Sequence, residues 1–445
     1  MNEETAAKEV RELFTNSTWI TMSRLVRAAS VVAQSVVLAR ALGIRNYGNY
    51  AVVVALVGPI QELLNPNLGA AIVRYGTNYI EDNDRDDLIA LIQLSYVVGM
   101  VCVLLVVAAS LLAVAVSYRY LFEAPYLKSC ILAYAAASSL AIIDGNSFAL
   151  LRLFNRFRIN AIVEALAAIT SFIVIVVACR WYADSVSSMI YVVALTIVCS
   201  SLLVNAIGFW ELRESLAGIW RINIRHLKKQ FHQTARFVFG NSLALTFERT
   251  TRRCDVLLLA FLSTGASVAL YDVARKISSL ILLLRDPIAM AVFPQVSRLV
   301  AKKEYQSLTN LLWQSYRILI VPLVGFLLVI CVWGNQLAGV WGAEFVTSSW
   351  VVQFLSLRAM LFLVFFWNMS LILSLGKVRF QLFASIASAL VGFCIAVPLT
   401  VRFGATGMAF SMFIATLLAQ LSYAYVGLNS TRTVQSSQSR EAMTV

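Results

Sequence analysis

The sequence predicts an all-α integral membrane protein of about twelve transmembrane helices arranged as two six-helix bundles. Three observations carry this reading. The 445 residues are 60% hydrophobic and only 13% charged, with a mean hydropathy of +0.78, whereas soluble domains carry about 25% charged residues. Apolar stretches of about 20 residues, the length of helix a bilayer core requires, recur along the whole chain. Finally, Glu248, Arg249, Arg252, Arg253 and Asp255 lie in the middle of one such stretch. A central Arg or Asp costs about 2.5–3.5 kcal/mol when it faces lipid, so these five must face water, one another or a polar substrate.

The elements follow in order. Residues 1–18 form a mixed-charge N-terminal tail. The first apolar stretch carries Arg24 and Arg27 and lacks a small-residue cleavage site, so it reads as a retained span and not a signal peptide. Spans are expected at 19–41, 50–72, 88–116, 129–151, 159–179 and 188–209, which make the N-terminal bundle (19–209). Residues 210–236 alternate apolar positions such as Leu216, Ile219 and Trp220 with basic ones such as Arg221, Arg225 and Lys228. That pattern predicts an amphipathic linker lying under anionic headgroups. Spans at 237–262, 268–294, 307–333, 349–375, 380–401 and 404–428 make the C-terminal bundle (237–428), and the Ser/Thr/Gln-rich tail 429–445 is expected to be disordered.

With both termini cytoplasmic, 20 Lys and Arg fall in inside segments and 5 in outside segments, the remaining 11 lying within spans. This positive-inside bias sets the orientation. It also accounts for the net charge of +13 without nucleic acid, for which no basic arm or aromatic motif is present. The seven cysteines are scattered through the spans, with neither a disulfide framework nor metal-ligand spacing. Tyr50 and Pro66 are repeated 221 residues later as Tyr271 and Pro287, in line with transporters built from duplicated bundles. The pairs Pro59/Pro66 and Pro287/Pro294 predict kinked helices.

At 100° per residue, the five charges of span seven share one face about 160° wide. Glu248 and Arg252, and Arg252 and Asp255, have pairing distances along the helix; Arg249 and Arg253 have no local partner. Three arginines against two acids favour an anion-facing wall over a purely structural ladder. In span one, Ser23, Arg24, Arg27, Ser30, Gln34 and Ser35 form a second polar stripe. A cluster of guanidinium groups at low dielectric suits phosphate through bidentate, charge-assisted hydrogen bonds. Isolated Asp144 and Glu164 are candidates for binding a coupling ion, Na+ or H+, or for structural hydrogen bonding. Asp272 with Lys276, and Arg285 with Asp286, read as local pairs. No nucleotide-binding loop is present, the two histidines (His226 and His232) lie in the linker, and outside loops are short. A built-in ATPase and a glycosyl polymerase are therefore both disfavoured.

Short motifs add a resemblance. The segment from Leu42 and Gly43 through Tyr47 and Gly48 to Tyr50 resembles a loop of bacterial polysaccharide transporters. So do Asn67-Leu68-Gly69 with Ile72-Val73-Arg74-Tyr75, Asp255 to Leu258, Ala269 to Ile277, and Val292 to Ser297. Ala269 stands where that family has glycine, and Ile44-Arg45 where a Pro-acidic pair is common. The chain thus resembles the Wzx-type O-antigen and exopolysaccharide repeat-unit flippases of the multidrug/oligosaccharidyl-lipid/polysaccharide exporter (MOP) superfamily. The resemblance implies two bundles in a V around a central cationic cavity in the bacterial inner membrane. It also implies that the protein is not an enzyme and needs no cofactor or metal. The implied cargo is an undecaprenyl-diphosphate-linked oligosaccharide moved from inner to outer leaflet, with membrane lipids and other polysaccharide-assembly proteins as partners. Arg24, Arg27, Arg249, Arg252 and Arg253 match the cavity arginines the family uses for the diphosphate. Glu248, Asp255, Asp144 and Asp272 are left as coupling or ion-pairing acids. Three rival readings stand beside it: a drug antiporter, whose cavity should be net acidic; a membrane-embedded glycosyltransferase or polymerase; and a lipid II flippase, which usually has two more spans.

Overall fold

A helix of 61 residues opens the protein, α1 (Glu3–Leu63). Drawn straight at 1.5 Å per residue it would reach about 90 Å, three bilayer cores, so it must turn. It does so at Gly43, whose φ of 70° and ψ of 171° are open to glycine but not to residues bearing a Cβ. The two arms on either side supply spans one and two. The second arm breaks ahead of Pro66, and α2 (Leu68–Glu81) restarts from Asn67 in the left-handed region, a conformation asparagine tolerates.

The computed structural model describes residues 3–121, 127–182, 185–213, 243–302 and 304–443. After α2 come α3 (Arg85–Leu121), α4 (Leu127–Ser139), α5 (Ala141–Leu153), α6 (Phe157–Tyr182) and α7 (Val186–Glu211). Next are α8 (Leu243–Leu262), α9 (Gly265–Ala301), α10 (Tyr305–Gly339), a 3-10 turn (Ala343–Ser348), α11 (Ser349–Val364), α12 (Asn368–Ser374), α13 (Val378–Phe403) and α14 (Ala405–Met443). Among the described residues there is no strand. Among the described residues, eight helical runs are long and apolar enough to cross a membrane, or nine when the bent pair α11–α12 counts as one span. The first of these runs, Thr18–Glu81, holds two spans because of Gly43. Adding the charge-bearing α8 and α9 brings the total to twelve, the number expected, in a multi-pass membrane protein.

Span ten shows how a membrane helix tolerates a break. Between α11 and α12 the axis bends by 42°. Trp367 Nε1 donates to the hydroxyl of Tyr316 at 2.8 Å, and that hydroxyl donates to the carbonyl of Val364 at 2.6 Å. A carbonyl at the end of α11 thereby keeps a partner where water is absent.

The chain forms two compact units, one of residues 1–42 and 49–257, the other of residues 43–48 and 258–445. Unit one is organised around Ile72, Leu88, Ile92, Leu150, Leu151 and Leu212. In unit two the helices pack around buried Tyr271, Phe345, Phe366, Met408 and Leu371.

Residues 429–443 form the end of α14; a helix already nucleated upstream extends at one hydrogen bond per residue. The eighth span, α9, is one helical run through Pro287 and Pro294. The expected linker lies outside the described residues from 214 onward.

Candidate functional site

The candidate residues occur in four groups, three in unit one and one in unit two. The first centres on α8. Arg253 lies nine residues before the end of this helix at Leu262, about 13 Å along the axis and so close to half the depth of a bilayer core. Its Nη2 lies 2.8 Å from Oε1 of Glu62, on the second arm of α1; the arginine side chain is 45% exposed and the glutamate 19%. One turn before Glu62, Gly58 leaves room for the guanidinium: a Cβ there would sit 3.1 Å from Nη1 and 3.3 Å from Cδ of Arg253. Asp255, two residues on, is fully buried and accepts a hydrogen bond from the N–H of Val256 at 2.8 Å. Glu248, Arg249 and Arg252 share this helix, but their side chains lie outside the described residues.

The second group is on the first arm of α1. Arg27, 62% exposed, pairs with Glu164 of α6 at 2.9 Å. The other oxygen of Glu164 accepts from Ser23 at 2.9 Å. Arg24 is exposed and makes no ion pair among the described residues. The polar stripe of span one is therefore split. Buried Ser23 faces Glu164, and Gln34 donates at 3.5 Å to the carbonyl of Ala168, while Arg24 and Arg27 stay open. Glu164, expected to be isolated, is not; its partners come from a helix more than 130 residues away in the chain.

Asp144, the other acid expected to be isolated, sits in a hydrogen-bonded chain. Ser201 donates to its Oδ1 at 2.5 Å and Asn205 at 2.7 Å. Ser147 in turn donates to Asn205 Oδ1 at 2.6 Å and lies 2.7 Å from the hydroxyl of Tyr96. Spans three, four and six are thus tied together by one hydrogen-bonded chain, and among the described residues the side-chain contacts of the Asp144 carboxylate are neutral donors.

The fourth group, in unit two, is an ion-paired lock. Asp272 Oδ2 accepts from Lys276 at 2.8 Å, its Oδ1 lies 3.2 Å from Arg275, and the hydroxyl of Tyr47 donates to Oδ2 at 2.9 Å. Lys276 also donates to the Tyr47 hydroxyl at 2.5 Å. The Tyr47 ring meets Phe345 edge-on at 6.0 Å, and the N–H of Ile44 donates to Glu344 at 2.9 Å. Asp272 pairs with Lys276 as the i,i+4 spacing predicts, and also with Arg275. With two cations and a phenol on one buried carboxylate, this group anchors the 43–48 turn. The motif residues Tyr47 and Asp272 are therefore structural partners of one another.

Glu62 and Gly58 are the two members of the site that the sequence motifs do not include. The signal available was their i,i+4 spacing, which puts a gap and a carboxylate on one face of span two.

Solved membrane-transporter structures share this fold. An inward-facing multidrug resistance MATE family transporter of the MOP superfamily matches 92% of this chain and 96% of its own, with a TM-score of 0.71 and 13% identity. The lipid II flippase MurJ in its inward closed conformation matches 93% of this chain and 87% of its own, with a TM-score of 0.70 and 14% identity. At such identities the likeness is one of fold. Residues 13–300 match the model of the polysaccharide biosynthesis protein family, and the chain belongs to that family. A relative, the probable low-salt glycan biosynthesis flippase Agl15 of Haloferax volcanii, is 26% identical over 103 residues; the match spans 23% of this chain and 22% of that protein.

Proposed function

We propose that the protein is a flippase for undecaprenyl-diphosphate-linked oligosaccharide repeat units of the O-antigen or exopolysaccharide type. It moves them from the inner to the outer leaflet of a bacterial inner membrane by alternating access, with both termini cytoplasmic. It performs no bond chemistry. Arg24, Arg27, Arg249, Arg252 and Arg253 serve the diphosphate.

The observation that carries this reading is Arg253. A guanidinium near the membrane centre that is 45% exposed must meet water or a polar cargo, because lipid contact there is too costly. An exposed cation also repels the cationic drugs a multidrug antiporter would carry, although the fold is shared with such antiporters. The family match supports a glycan cargo. Transport draws on a Na+ or H+ gradient. Among the candidate acids Glu248, Asp255, Asp144 and Asp272, Asp144 suits an ion best, because its contacts are all neutral, whereas Asp272 already holds two cations.

The test is complementation of a deletion strain. Arg253→Glu should insert at wild-type level and leave surface polysaccharide absent. Wild-type polysaccharide from that variant would overturn the phosphate-binding reading.

A further inference from the structure

In unit two, one face of α10 carries a chemistry that the arginines of unit one do not explain. Asn310, Trp313, Gln314 and Arg317 line a groove of about 420 Å³, within the size range of small-molecule sites. All four are exposed, Trp313 at 64%. They fall on a face about 100° wide. The opposite face packs inward through Tyr305, Leu308, Leu312 and Leu319. Beyond Arg317 the open face turns apolar: Val321, Val324 and Leu328 follow at helical spacing, 74%, 46% and 57% exposed.

We infer that this face of α10 is a docking site for the headgroup of a membrane-embedded glycosyl-phosphate lipid in the cytoplasmic leaflet. The inference rests on the orientation and cargo proposed above and adds a site in unit two. The order of groups along the helix is its basis. From the cytoplasmic end come two primary amides flanking an indole, then a guanidinium, then an open apolar strip. A glycolipid standing in the inner leaflet presents sugar, then phosphate, then hydrocarbon in the same order. Primary amides exchange hydrogen bonds with hydroxyls, an indole offers a flat apolar face with a polar edge, and a guanidinium takes phosphate bidentately. Asn310 and Arg317 are about 10 Å apart along the axis, room for a sugar and its phosphate.

Ordinary interfacial anchoring explains less. Centring this 35-residue helix on a 30 Å core puts Arg317 about 7 Å inside the hydrocarbon. Snorkelling lifts a guanidinium that far, but accounts for neither the shorter Gln314 on the same face nor the groove.

Native mass spectrometry of the purified full-length protein provides the test. The probes are undecaprenyl-diphosphate-N-acetylglucosamine, undecaprenyl phosphate and phosphatidylglycerol. The sugar-bearing lipid should bind wild type most tightly. Trp313→Leu and Gln314→Ala should weaken that probe alone, by about tenfold for the tryptophan, with Trp313→Phe retaining most binding. Arg317→Gln should weaken all three lipids. Variants are compared only where melting curves match wild type; Gln314→Ala and Trp313→Phe alter exposed groups and keep the test available should the larger change fail to fold. Equal binding of the sugar lipid by Trp313→Leu, Gln314→Ala and wild type overturns the groove. So does loss of phosphatidylglycerol from Trp313→Leu to the same degree, which would mark a generic lipid contact. If the sugar lipid is lost only from Arg253→Glu, the groove fails and the flippase reading stands; if wild type binds none of the sugar lipid, the cargo reading fails and the groove with it.

Discussion

The guanidinium of Arg253 in span seven is held 2.8 Å from the carboxylate of Glu62 in span two, above the bare backbone of Gly58. A half-exposed pair of this kind contributes little to stability, about 0–1 kcal/mol. The role proposed for the pair is to place a cation at mid-membrane, with a single carboxylate orienting the guanidinium.

The two members of that pair should separate in experiment. Glu62→Gln keeps the shape and releases Arg253, so flux of a fluorescent lipid-diphosphate glycan in proteoliposomes should stay within about threefold of wild type. Arg253→Gln should lower it by about 1.5–3 kcal/mol of lost charged hydrogen bonding, tenfold or more. Melting temperatures of both should remain close to wild type. Equal flux losses with equally lowered melting would make the pair a structural clamp.

Gly48 predicts the opposite behaviour. It is buried in the turn of unit two, and a Cβ there would collide with the backbone carbonyl of Gly265 at the start of α9. Backbone cannot swing aside as a side chain does, so Gly48→Ala should destabilise by about 3 kcal/mol. Thermal unfolding in detergent measures this, and an unshifted transition would show that the two glycines do not cross so closely.

Tyr47 and Asp272 form a graded series. Asp272→Ala removes the buried carboxylate shared by Lys276 and Arg275 and should cost about 3–5 kcal/mol. Tyr47→Phe removes hydrogen bonds but keeps the ring on Phe345, and should cost about 1–2 kcal/mol. Because both act on one network, the double substitution should cost less than the sum. Strict additivity in denaturant titrations would deny the coupling.

Asp144→Asn preserves an oxygen for Ser201 and Asn205 while removing the charge. The variant should fold, and its flux under an imposed Na+ or H+ gradient should fall to the gradient-free rate. Full stimulation by the gradient in this variant would remove Asp144 from coupling.

Much of this was legible before any coordinates. Span positions follow from local transfer free energies, and residues 88–116, 159–179 and 188–209 fall inside α3, α6 and α7. The Asp272–Lys276 pair was legible too, because its partners sit one helical turn apart. The break of span two was signalled by Pro66. Partners contributed by distant segments were not legible. Tyr47 and Asp272 are 225 positions apart, and Glu164 and Arg27 are separated by 137. Nothing in the periodicity of either helix names the other.

The division between the two sources of information is physical. Hydrophobic burial and backbone satisfaction act within a segment, so the sequence alone determined that this is a twelve-span helical membrane protein with charges it must shield. Ion pairing acts through space at about 3 Å, and which helices meet at that distance is a property of the packed chain. Only the tertiary structure decided that Glu164 is shared by Ser23 and Arg27, that Asp272 anchors a turn, and that Arg253 rests on Gly58 beside Glu62 with part of its charge still open.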